Sequence, residues 1–402
     1  MKLKDTFILI LTIFFPFLIL IKEPGFNPLS FSEITIFIIL LFYYLIALRV
    51  KLGVNFIFLT FISWFLFFYF IALIPLNPKF TALLSHITHF KYMLVVFPII
   101  KIFRKEDEIK MIKLLVLIGV LSQIPALYKL ISQPASLLSL FGTGGYSRTE
   151  SVFPNSNMYG AYLTVISLLS LFLIDYIKTF KYKILLILVV QIPTFILLVL
   201  TFSRRSWGLF FLSLVIYLFF KKGQKIGLIA TISFVSIFIT LKLDLIAIFS
   251  RFQTIFSSDY ASNSIRKDQF NELFNLISDN LYVFLLGMGP AITGPVSKLS
   301  INPQFTQIDN YFLLILLEYG VVGVLIYIML CFYIFFISLK NLSNSDSLDF
   351  NKNLIYLLII SSLFLMGIVG TTPISFPTNL IYWIIVGLIL SNYKKITSFN
   401  EN

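Results

Sequence analysis

The sequence predicts an all-α polytopic membrane protein of about twelve transmembrane helices, with one large extracytoplasmic loop that contains an amphipathic helix. Composition is the first reason: of 402 residues, 58% are hydrophobic and 12% charged, more apolar surface than a soluble domain of that length buries. Distribution is the second. Apolar stretches near the roughly 20 residues needed to cross a bilayer recur along the whole chain, so 1–402 reads as a single integral membrane domain. The third is the placement of basic residues, which alternates between breaks as membrane topology requires.

Taken in order, the spans run from Thr6 to Ile21, Phe31 to Leu48, Val54 to Ile74, Phe80 to Ile100, Ile112 to Ile131 and Met158 to Ile174. They continue with Ile184 to Phe202, Ser206 to Phe220, Ile226 to Leu241, Tyr311 to Leu339, Leu354 to Thr371 and Leu380 to Leu390. Tyr311 to Leu339 is long enough to tilt, and the last run is short for a span. Lys2 and Lys4 precede the first run as in a signal peptide, but no small-residue cleavage site follows Ile21, so an uncleaved first helix is expected.

With the N-terminus inside, alternate breaks hold 19 of the 31 basic residues, among them Lys2, Lys4, Arg49, Lys101, Lys178, Lys221, Lys352 and Lys394. Both termini are then cytoplasmic. The formal charge of +13 follows from this topology, and no nucleic-acid partner is implied. Split by type, the inner set is 17 lysines and two arginines, whereas five of seven arginines, Arg148, Arg204, Arg205, Arg251 and Arg266, fall outside. Topology is satisfied by lysine, while a guanidinium binds phosphate or carboxylate with two parallel hydrogen bonds. An anion-handling outer face follows; pairing with lipid headgroups or with Glu150, Asp259, Asp268 and Asp279 is the alternative.

Two outer segments are long, 132–157 and 242–310, and long loops in a compact fold tend to carry function. In the second, Phe270, Leu273, Phe274 and Ile277 recur at helical spacing after Ser264, the pattern of an amphipathic helix lying on the membrane or over the bundle. Arg266 and Lys267 fall in its first turn, where the helix dipole disfavours cations unless an anion sits there too. Downstream, Gly287, Gly289, Pro290, Gly294 and Pro295 form a turn cluster suited either to close approach of a ligand or to a plain surface turn. In the first loop, Asn157 suits an N-cap for a helix beginning at Met158, whereas Arg148 and Asn155 have no such structural account.

Between the seventh and eighth spans, Ser203-Arg204-Arg205-Ser206-Trp207 leaves almost no loop in which to place two cations. Such charges are functional candidates; the alternative is snorkelling, with Trp207 anchored at the interface. Asp309-Asn310-Tyr311 opens the tenth span, and on a continuous helix Asn310 and Leu314 share a face with Glu318, which is left in the hydrocarbon region. His86 and His89 lack a third ligand in any recognisable pattern, and Cys331 is the one cysteine, so neither a metal site nor a disulfide framework is expected. No phosphate-cradling Gly-Lys-Ser loop, serine elbow or zinc-protease helix occurs.

The ordered motifs, Arg148 to Pro154-Asn155 and Asn157, Ser203-Arg204 before Trp207-Gly208, Arg266 ahead of Gly287-Met288-Gly289, and Asp309-Asn310-Tyr311 to Glu318-Tyr319-Gly320, resemble the O-antigen polymerase and O-antigen ligase superfamily of bacterial polysaccharide assembly. The resemblance covers roughly 142–323. Ligases of that superfamily carry a histidine before the asparagine of the last motif; Asp309 stands here, which favours a repeat-unit polymerase. The resemblance implies a glycan donor on a polyprenyl diphosphate, an acceptor on a second such lipid, no cofactor, and a place in the bacterial cytoplasmic membrane beside membrane lipids, a flippase and a chain-length regulator. It further implies inverting transfer in one step, with Arg204 and Arg266 on the leaving diphosphate and Arg148, Arg205, Arg251 and Lys267 in support. Asp309 would be general base or orient the acceptor, with Glu150 second, and Asn155, Asn310 and Tyr311 would line the substrate site. Rivals are a ligase that differs in acceptor, a lipid-linked oligosaccharide flippase whose charges would line a central cavity, and a scaffold.

Overall fold

The computed structural model describes residues 91–96, 99–100, 105–132, 151, 153, 156–221, 271, 275, 281–289, 310–370 and 378–400, the last seven without side-chain detail. The expected spans Thr6–Ile21, Phe31–Leu48, Val54–Ile74 and Ile226–Leu241, most of Phe80–Ile100, and most of both long loops lie outside the described residues. What is described is all helical: α1 Lys105–Ser132, α2 Ser156–Tyr176, α3 Phe180–Leu186, α4 Ile192–Leu200, α5 Arg204–Phe220, α6 Leu281–Leu286, α7 Tyr311–Ser343, α8 Ser347–Val369 and α9 Thr378–Asn400. A short 3-10 turn at Lys91–Val95 packs on α9.

Among the described residues, five stretches are long and apolar enough to cross a membrane: Asp107–Ser132, Ser156–Tyr176, Phe180–Leu200, Tyr311–Ser343 and Asp349–Ile368. The third joins α3 to α4 through a widened π turn, Ile187–Gln191. Pro193 explains the widening, since it has no N–H for the preceding turn and its ring collides with the carbonyl there. Gln191 at the end of the π turn is satisfied inside the bundle, donating to Ser167 O at 2.9 Å and Ser170 Oγ at 2.6 Å and accepting from Ser167 Oγ at 2.8 Å. The run at Leu380–Leu390, short for a span, lies in the first half of a helix that begins at Thr378 and continues to Asn400.

α2 is buried along nearly its whole length, with α1, α4, α5 and α8 around it; α8 in turn touches α5, α7 and α9. α5 and α8 run antiparallel: Ser213 Oγ and Ser362 Oγ lie 2.9 Å apart, and the Arg205 guanidinium reaches Gly370 eight residues further along both helices. One end of this bundle is rich in lysine. There Lys352 Nζ and Tyr356 OH donate to the two oxygens of Glu108, both at 2.9 Å, and Asn392 Nδ2 adds a third bond at 3.0 Å. Nearby, Asp175 accepts from Tyr217 and Lys221. The opposite end carries Arg204 and Arg205.

α7 is not the single tilted span that hydropathy suggests. Gly320 has φ 65 and ψ −170 inside it, and the rings of Tyr311 and Phe312 meet Tyr327 at 5.2 and 5.8 Å. On an unbroken helix residues 16 apart would be separated by about 24 Å. The chain therefore reverses at Gly320, and a half-helix from Tyr311 to Tyr319 lies back along the full-length helix that follows. This places Glu318, 1% exposed, at the tip of the hairpin, and sets Asn310 about 15 Å from Gly320 along the helix axis.

Candidate functional site

The α4–α5 corner is tight, and every hydroxyl in it is used. Phe202 takes φ 49. Thr201 Oγ1 donates to Leu198 O at 2.7 Å and accepts from Ser203 N at 3.2 Å, and Ser203 Oγ and Ser206 Oγ are 2.9 Å apart. The Trp207 indole N–H donates to Leu198 O at 2.8 Å. Trp207 is 2% exposed, so it closes the corner from inside the bundle and is not an interface anchor. α2 passes close behind: a Cβ on Gly160 would come 2.7 Å from Ser206 Oγ and 3.1 Å from Thr201 Oγ1.

This corner holds Arg204 and Arg205 as the first two residues of α5, a helix with no acidic residue in its first turn. Two cations are thus fixed at the positive pole of a helix, where backbone N–H groups already favour an anion. The Arg205 guanidinium lies against the backbone of Gly370, just past the end of α8.

The second assembly is the α7 hairpin. Breaking the helix at Gly320 removes the N–H partners of the last carbonyls before it. The turn after α6 supplies replacements: Met288 N donates to Leu317 O at 2.8 Å and Gly289 N to Glu318 O at 3.0 Å. Neither side tolerates a side chain, because a Cβ on Gly287 would meet Glu318 C at 2.5 Å and one on Gly320 would strike Leu285 O. Both glycines also have positive φ, 80 and 65. The Gly287 cluster is neither an open surface turn nor seen against a ligand: what its backbone approaches is this hairpin.

At the base of the half-helix, Asn310 Oδ1 caps it, accepting from Phe312 N at 2.9 Å and Leu313 N at 3.2 Å. Tyr311 is 5% exposed and its ring is engaged edge-on with Tyr327, so it packs the hairpin and presents no open face for a sugar. Phe312 sits on Phe364 of α8 at 5.3 Å. The α5 corner and the α7 hairpin therefore meet the same end of α8, between Phe364 and Gly370, about 9 Å apart along its axis.

Asp309, Arg266, Arg148, Asn155, Arg251, Lys267 and Glu150 lie outside the described residues. Of the first long loop, Ser151 and Phe153 show where it lands. Ser151 Oγ donates to Ser122 O of α1 at 2.7 Å, and Phe153 is wedged between Tyr159 and Tyr162 at 5.1 and 4.9 Å. Helix α2 starts at Ser156, so Asn157 is its second residue and not its N-cap. Among the described residues no group of His, Cys, Asp and Glu is placed to hold a metal; His86 and His89 lie outside them. Gly160, Tyr327 and Gly370 belong to the site, yet nothing in the sequence marks them, since their part is read only from contacts across the bundle.

Residues 191–328 match the family described as O-Antigen ligase, which supports the O-antigen ligase and polymerase superfamily. The matched region opens at the Gln191 clamp, includes the arginine corner and the Gly287–Gly289 joint, and ends one residue beyond Tyr327, where the hairpin closes. No curated protein and no solved structure matches the chain.

Proposed function

We propose that this membrane protein polymerises polyprenyl-diphosphate-linked repeat units into O-antigen, capsule or exopolysaccharide at the outer face of a bacterial cytoplasmic membrane. The observation that carries the reading is the pair of arginines fixed at the N-terminus of α5 inside the region that matches the family. As the acceptor hydroxyl attacks the anomeric carbon, the bond to the diphosphate breaks and negative charge grows on the leaving oxygen. Guanidinium groups held in advance stabilise that charge without having to reorganise. Arg204 and Arg205 take this role with Arg266, supported by Arg148, Arg251 and Lys267. Asp309, adjoining the Asn310 cap, takes the acceptor proton, with Glu150 as second candidate and Asn155 in the substrate site. The transfer inverts the anomeric centre in one step and uses no metal. Membrane lipids surround the bundle; a flippase delivers the lipid-linked unit and a chain-length regulator sets the product.

The same chemistry serves a ligase, which passes the glycan to a lipid or protein acceptor; Asp309 in place of the histidine found in ligases favours the polymerase. Glycan profiling of a deletion strain, bare and carrying Arg266→Ala, separates them by size and attachment. Single repeat units on the carrier are expected. Long chains left on the carrier would mean a ligase, and loss of every outward-facing unit would mean a flippase. The orientation is tested by cysteine labelling of intact cells, with reaction expected at Ser257 and Ser297 and protection at Ser345; the reverse pattern would overturn it.

A further inference from the structure

Arg205 stands second in α5, at the positive pole of its own helix, which is an unfavourable place for a cation. Its guanidinium crosses to Gly370, the residue that follows Val369 at the end of α8. That is the negative pole of α8, where carbonyl groups without helical partners favour a cation. The contact leaves no space: a Cβ on Gly370 would lie 2.6 Å from Cζ of Arg205 and 3.0 Å from Nη2, and it would overlap Nη1. Gly370 is buried and takes φ −175 and ψ 172, extended backbone open to any residue. Glycine is therefore not required there by backbone conformation. What requires it is the guanidinium.

We infer that Gly370 is a positioning residue for Arg205, a seat whose missing side chain fixes the height and direction of the guanidinium beside the leaving diphosphate. The inference rests on the functional reading above. It also divides the labour at the corner. Arg205 is held from α8, while the backbone that carries Arg204 at the start of α5 is set by the Thr201–Ser206 hydrogen bonds. The neighbouring glycine, Gly160, does the equivalent work for the corner itself by letting Ser206 and Thr201 approach α2.

The test is a double-mutant cycle in the full-length protein expressed in a deletion strain, reading polymer yield per folded molecule. Gly370→Ala is expected to lower that yield about a hundredfold to a thousandfold, the range for losing one preorganised donor, and Arg205→Ala to do the same. Combined, the two changes should be no worse than Arg205→Ala alone, because the alanine then has the space the guanidinium vacated. A glycine needed only for packing predicts the opposite: losses that add, with folded protein reduced whether or not Arg205 is present. Should Gly370→Ala alone fail to fold, folding must return in the Arg205→Ala background, and continued failure there would overturn the seat. Yield unchanged by Gly370→Ala would also overturn it. If Arg204→Lys and Arg205→Ala both leave the glycan unaltered, the functional reading falls instead. The seat is then judged by melting temperature, which Gly370→Ala should lower only while Arg205 is present.

Discussion

At the lysine end of the bundle, Glu108 takes three hydrogen bonds from Lys352, Tyr356 and Asn392, with Lys352 and Glu108 3% and 2% exposed. At the arginine end, Arg204 and Arg205 begin a helix whose first turn holds no acid, and one of them rests on a glycine. Charges at the first end answer one another across α1, α8 and α9, so they hold the helices together. Charges at the second are placed where a helix dipole already invites an anion. A lysine can neutralise a buried carboxylate as a compact point charge, whereas binding a diphosphate at a set angle calls for a planar fork. On the proposed function the two ends separate stability from chemistry, and substitutions at each should fail in different ways.

The largest effect is expected from Glu108→Ala, which leaves the buried Lys352 with Asp349 alone, at 3.2 Å, and takes the acceptor from Tyr356 and Asn392, a loss of about 3–5 kcal/mol. Thermal melting in detergent should show it, with product per folded molecule little changed; a fall in per-molecule product at full stability would break the distinction between ends. Next is Trp207→Phe, which keeps an aromatic ring but loses the indole packing and the N–H bond to Leu198 O, a carbonyl that still accepts from Thr201, and should destabilise by about 1–2 kcal/mol. Because this tryptophan sets the α5 corner, both melting temperature and polymer length should drop, and a change in melting alone would detach the corner from the chemistry. The smallest is Asn310→Ala, about 1 kcal/mol for a lost cap. Asn310→Ser should restore most of the stability; if it does not, the amide contributes something other than capping.

Much of the bundle was legible because spanning helices need long apolar runs, and α1, α2, α4, α5, α8 and α9 lie where such runs stand. Hydropathy could not show the reversal at Gly320. Both arms of α7 are apolar, glycine is common in membrane helices, and nothing local separates Gly320 from Gly323 in a run that continues through both. The Gly287–Gly289 and Glu318–Gly320 motifs were each visible, but as separate features; that they are two halves of one joint is a non-local fact. Arg204 and Arg205 were legible because no loop was available to carry them. Gly370 was not, since its contribution is an absent side chain opposite an arginine far away in sequence. Glu108 and Asp175 were missed for a related reason, as counting lysines for topology leaves out the acids that pair with them.

The most direct test of the separation compares Arg204→Lys with Glu108→Gln in the full-length protein, measuring glycan chain length and yield per folded molecule in the deletion strain. The account predicts that Arg204→Lys folds normally and loses about tenfold or more of its polymer, since the charge remains and the fork is gone. Glu108→Gln should lose folded protein while each surviving molecule makes full-length chains. Polymer from Arg204→Lys equal in length and yield to that of the unmodified protein would contradict the claim that the arginine end does the chemistry.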